Sequence, residues 1–89
     1  MAATRGSMDC HLYRSAFSGE VVFQVDTVGG TPYEGVAPKH CATPTDTPCV
    51  SGVQGQVEVR VLANAGKEAR VSTPDGEILT VPAGVIHET

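Results

Sequence analysis

Eighty-nine residues make one domain, and a formal net charge of −4 with a pI near 5.1 disfavours partners held by a basic face. Nucleic-acid affinity comes mainly from Lys and Arg set against phosphates, and the six here are spread along the chain without a basic run. Anionic membranes are disfavoured for the same reason, and no apolar stretch is long enough to span a bilayer as a helix.

At the N-terminus, residues 1–7 lack the apolar centre of a secretory signal. Gly6-Ser7 before Met8 reads as the end of an expression-tag remnant, which leaves 8–89 as the single domain. Three cysteines, Cys10, Cys41 and Cys49, without a signal favour free thiols and a cytoplasmic location.

Leu12 to Phe17 and Val21 to Thr27 form the first pair of strand-like runs. A loop at Ser18-Gly19-Glu20 sets Phe17 opposite Val21 and Tyr13 opposite Val25, whereas a Ser18-Gly19 loop sets Arg14 opposite Phe23. The first grouping gathers the apolar residues. Val28-Gly29-Gly30-Thr31-Pro32 is a turn, and Tyr33 to Ala37 returns against the second strand. Pro38 to Gln56 is rich in Thr, Pro, Gly and Ser without period and reads as one long loop.

Val57 to Val81 carries the strongest signal, a three-stranded meander. Val57, Val59 and Val61 alternate with Glu58, Arg60 and Leu62, as on a half-buried strand. Gly66 closes one turn in the left-handed region, and Thr73-Pro74-Asp75-Gly76 closes the next. Three-residue loops set Val61 opposite Ala69, Val59 opposite Val71, Arg60 opposite Arg70, Val71 opposite Leu79 and Ala69 opposite Val81. Both hairpins then name Val59, Val61, Ala69, Val71, Leu79 and Val81 as the inward face. Arg60, Arg70 and Thr80 form a row on the outer face. Pro82-Ala83-Gly84 makes a tight or 3₁₀ turn before Ile86 returns. No internal repeat is evident.

Five short strands in so small a chain point to an all-β, partly open barrel. With only 4% aromatic residues and no Trp, the core rests on Val, Leu and Ile, and a homo-oligomer is the simplest added support. The stretch Val59 to Leu62, Ala69-Arg70-Val71, Pro74-Asp75-Gly76-Glu77, Val81-Pro82-Ala83 and Ile86 resembles the end of SH3-like barrels. There a strand closes with a proline-led short turn and a last apolar residue plugs the barrel. Gly76 to Ala83 is also similar in outline to the last strand of the type II dihydrofolate reductases. That family's Val-Gln-Ile-Tyr is replaced here by Ile78, Leu79, Thr80 and Val81, so the resemblance implies a shape and no active site.

Three chemistries compete for the function. As an interaction module, the chain would bind through the 38–56 loop and the outer sheet face, with Tyr33, His40, Cys41, Arg60, Arg70 and Ile78 as the contact residues. Ile78 could equally be a homodimer contact. As a metal or small-ligand protein, it would draw on His11, His40, Cys41 and Cys49. The seven residues between Cys41 and Cys49 are wider than a zinc-knuckle spacing. Those two thiols read alternatively as a disulfide, worth about 2.6 kcal/mol by chain entropy and less given the prolines between them. As an enzyme with a shared oligomeric pore, it would need a base brought to Cys41 from His11 or His87, because adjacent residues on a strand point to opposite sides. No cofactor is implied, and the interaction reading is preferred.

Overall fold

The structure, a computed structural model, describes residues 4–88. Residues 1–3 of the proposed tag remnant lie outside them. Residues 4–7 belong to the first strand.

Eight strands build one curled, half-barrel sheet. They are β1 (Thr4–Arg14), β2 (Glu20–Asp26), β3 (Pro32–Pro38), β4 (Ala42–Pro44), β5 (Val53–Asn64), β6 (Glu68–Ser72), β7 (Ile78–Pro82) and β8 (Ile86–Glu88). Single 3₁₀ turns, Lys39–Cys41 and Ala83–Val85, precede β4 and β8. The order is β3-β2-β1-β5-β6-β7, with β4 on β5 and β8 on β1. The all-β expectation holds, with eight strands in place of five. The expected 38–56 loop contains a 3₁₀ turn, β4 and the start of β5, which leaves 45–52 as its irregular part.

The two long strands β1 and β5 pair antiparallel about Met8 opposite Val57. Around that point every pairing has a mate with its roles exchanged. Gly6 faces Val59, and Gly55 faces Cys10. Ala42 lies beside Val57, and Ile86 lies beside Met8. The Lys39 N–H donates to the Gly19 carbonyl and the Ala83 N–H to the Lys67 carbonyl, each at 3.0 Å. Both strand-joining turns repeat too: Gly30 N–H donates to Thr27 O, and Gly76 N–H to Thr73 O. Gly30 and Gly76 have φ of 83° and 91°, where a Cβ is disfavoured. The chain is therefore an internal structural repeat, β1 to β4 followed by β5 to β8. The final strand of each half lies on the long strand of the other.

All six residues expected to face inward are buried. They join Met8, Cys10, Leu12, Val21, Phe23, Val25, Ala37 and Val57 in one core. The second hairpin has the expected register, with Val71 opposite Leu79 and Ala69 opposite Val81. The first does not. Val61 faces Val71 and Arg60 faces Ser72; after a bulge at Leu62, Ala63 faces Arg70 and Asn64 faces Ala69. The cause is a tighter turn, in which Ala65 N–H bonds the Glu68 carbonyl and Asn64 Oδ1 accepts from Gly66 N–H. Arg60 and Arg70 are thus not opposite, and the expected outer row keeps only Arg70 beside Thr80.

The β1–β2 register also differs. Leu12 faces Phe23 and Arg14 faces Val21, across an irregular segment 15–19. Leu12 rather than Tyr13 turns inward, and Phe17 is left exposed. Ser15 Oγ accepts the Phe17 N–H and so favours a turn where a strand was expected to continue.

The ends of the sheet meet near the β6–β7 turn. The Tyr33 hydroxyl donates to Asp75 Oδ2 at 2.5 Å, while Asp75 Oδ1 accepts from the buried Thr73 hydroxyl. Val28 N–H donates to Thr80 O at 3.0 Å. Burial, reinforced by the Asp75 hydrogen bond and charge, pushes the Tyr33 hydroxyl well above the ordinary tyrosine range. Asp75→Ala is expected to cost about 1–2 kcal/mol and to bring the Tyr33 ionisation down. Alkaline ultraviolet titration alongside urea unfolding checks both. Tyr33 titrating as in the parent would remove Asp75 as the clasp.

Candidate functional site

Alternation along β1 sends Met8, Cys10 and Leu12 inward and leaves Asp9, His11 and Tyr13 on the other face. The same alternation on β5 sets Gln54 and Gln56 beside them, since Asp9 pairs with Gln56 and His11 with Gln54. Gln24 follows on β2, opposite His11. Asp9, His11, Gln24, Gln54 and Gln56 line a groove of about 640 Å³ that is walled by Val25, Pro44, Pro82 and Val85 and reaches Asp26.

Neighbours hold several of its polar groups in place. Asp9 Oδ1 accepts from Gln56 Nε2 at 3.0 Å, and Gln56 Oε1 accepts from Ser7 Oγ at 3.3 Å. His87 Nε2, carried by β8, stands 3.0 and 3.1 Å from the two Asp9 carboxylate oxygens. Tyr13 donates its hydroxyl to Gln24 Oε1 at 3.1 Å, which leaves the Gln24 amide nitrogen as the outward donor. The repeat-related positions have diverged: Glu58 replaces Asp9, Ser7 replaces Gln56 and Thr43 replaces His87.

A second groove, of about 390 Å³, lies beside the Lys39–Cys41 turn. It joins His40 and Cys41 to Ser7, Gln56 and Glu58, with Arg5 at its rim. Arg5 Nε sits 3.9 Å from Glu58 Oε1, both exposed, a contact of small energy.

The sequence candidates are dispersed over the molecule. His40 and Cys41 share the second groove, and His11 lines the first. Tyr33 is engaged with Asp75, while Arg60 lies opposite Ser72 and Arg70 opposite Ala63. Ile78 is 58% exposed at the start of β7. Cys49 lies in the 45–52 segment, where its carbonyl accepts from Arg14 N–H and Gly52 N–H. All three thiols are free. Among the described residues, no three His, Cys, Asp or Glu side chains are close enough to hold a metal ion. No described helix is long and apolar enough to cross a membrane.

Sequence reasoning missed Asp9, Gln24, Gln54 and Gln56, and named His87 and Asp26 only as partners for a reactive Cys41. The available signal was the period-2 pairing Asp9-x-His11 and Gln54-x-Gln56, polar residues on one face of two long strands.

The thiols differ in chemistry. Burial, with the Asp9 charge as a lesser cause, pushes Cys10 up to about 12. A hydrogen bond from Ser51, 3.2 Å away, lowers Cys49. The folded-state value of Cys10 lies above the unfolded thiol value of 9.0. Its contribution to stability is therefore complete below pH 9 and fades as pH rises towards about 12. Cys10→Val installs the residue found at the repeat-related Val59 and is expected to flatten this alkaline loss. At neutral pH stability should stay within about 1.5 kcal/mol of the parent. Urea midpoints from pH 8 to 11 test it, and an unchanged alkaline slope would rule Cys10 out.

Comparison with protein-family models, curated proteins and solved structures finds no match.

Proposed function

We propose that the chain is a small protein-interaction module that binds through the larger groove, one wall of which is the 42–56 segment. The supporting observation is the fixed polar frame in that groove: Asp9 held by Gln56 and His87, and Gln24 held by Tyr13. Side chains already held in place lose little rotamer freedom when a partner arrives, which favours recognition. The repeat fits the same reading. Each half runs strand, strand, strand, 3₁₀ turn, strand, with the last strand given to its neighbour. The proline-led 3₁₀ turn before that last strand is the feature that resembles an SH3-like barrel. Ile78, exposed near the seam of the sheet, is the contact for self-association in this reading.

A photo-crosslinking residue at Gln54, compared with one at Lys67 on the distant β5–β6 turn, tests the groove. A discrete adduct from position 54 alone supports the reading, and equal labelling from both positions defeats it. Ile78→Lys is expected to reduce any dimer seen by light scattering without changing the circular-dichroism spectrum.

A further inference from the structure

We infer that the larger groove receives a positively charged, extended segment of a partner protein, with an arginine or lysine head at Asp9 and Asp26 and its stem along Pro82 and Val85. This rests on the interaction reading above. The groove presents Asp26, Asp9 paired with His87, three glutamine amides and His11, and none of the chain's six Lys and Arg residues lines it. Arginine and lysine pair a charged head with an apolar stem. A groove with acceptors over one part and proline and valine over another matches both halves of such a side chain. Asp9 is already oriented, since donors hold both of its oxygens. A planar guanidinium that takes two acceptors at once gains most from that fixed geometry. The volume, about 640 Å³, falls within the range of about 300–1,000 Å³ usual for ligand clefts. The chain's net charge of −4 adds a favourable long-range field for a basic segment.

Divergence between the halves points the same way. The equivalent groove carries Arg5, His40 and Cys41 at its edge, a different charge pattern on the same backbone frame. A duplicated scaffold thus presents two related clefts with distinct preferences, and the Asp9 cleft is the one without a lining Lys or Arg.

The probe is a capped Gly-Arg-Gly-Arg-Gly peptide, set against its glutamine analogue and titrated into the full chain with amide chemical shifts as the readout. The arginine peptide should move Asp9, Gln24, Asp26 and Gln54 first. Asp9→Asn with Asp26→Asn should weaken it about tenfold, roughly 1.4 kcal/mol. Asp26→Asn alone, at an exposed site, should show part of the loss with the fold untouched. Glu20→Gln with Glu77→Gln changes the net charge equally, at residues that neither line the groove nor pair with residues that do, and should have little effect. Equal weakening by that control pair overturns the inference. So does equal binding of the glutamine peptide in the groove, an outcome that leaves the interaction reading standing. If neither peptide moves the groove amides and Gln54 also fails to crosslink, both fall.

Discussion

Phe23→Ala is expected to cost about 3–5 kcal/mol, a large share of the chain's stability. Phe23 is the largest fully buried side chain. It stands opposite Leu12, its ring centroid lies 5.9 Å from that of Tyr33, and its ring edge fills the space over Gly35. A domain of this length holds roughly 4–13 kcal/mol in all, taking about 0.05–0.15 kcal/mol per residue. With no Trp and only one other Phe, itself on the surface, no comparable side chain can move in to fill the cavity. Val71 occupies the repeat-related place opposite Val61. Val71→Ala removes two methyl groups and should cost about half as much. Urea unfolding followed by circular dichroism measures both. A Phe23→Ala loss under about 1.5 kcal/mol would mean that β1 and β2 do not carry the main part of the core.

Where local chemistry decided the structure, the sequence was readable. The inward face from Val59 to Val81 follows from alternation, and the Thr73–Gly76 turn fixes its own register through backbone bonds within five residues. Two features depended on competition between near-equal turns. Asn64 tightened one hairpin by bonding Gly66 N–H, and Ser15 diverted the chain before Phe17. Each altered a register without a strong local marker. The pairings of β4 with β5 and β8 with β1 were less visible still. Three-residue strands such as Ala42–Pro44 carry almost no period, and β8 finds a partner nearly the whole chain away. The repeat escaped notice because its matched positions hold different side chains, Phe23 for Val71 and Cys10 for Val59. Gly6 with Gly55, Glu20 with Glu68, Pro38 with Pro82, and the two Thr-x-x-Gly turns are what remain in common. The groove was hidden for the same reason as the pairings: Asp9, Gln24 and Gln54 meet only once the strands are in register.

Gly55→Ala should cost about 1–3 kcal/mol. A Cβ there would sit 2.5 Å from Leu12 Cδ1, 2.8 Å from the Thr43 carbonyl oxygen and 2.9 Å from Pro44 Cα. Leu12 can turn aside, but the other two are backbone, so β4 must move off β5. That would break the bond from Thr45 N–H to the Gln54 carbonyl, 2.9 Å in the parent. Amide exchange at Thr45 should accelerate well before that of the core strands. Gly6, the repeat-related glycine under β8, is less crowded, with 3.0 Å to both the His87 carbonyl and Val61 Cγ2, and Gly6→Ala should cost less. Gly66→Ala separates conformation from crowding: its φ is 90° with nothing within 4 Å, so its cost is that of the left-handed backbone alone, about 1 kcal/mol. Gly19→Ala has open space and no such φ, and should be neutral or slightly stabilising. Since Thr43, Pro44 and Gly55 all line the larger groove, Gly55→Ala should also blunt arginine-peptide binding at a temperature where the core stays folded. Full stability with unchanged Thr45 exchange would mean that β4 is not packed against β5, and the wall of the groove would go with it.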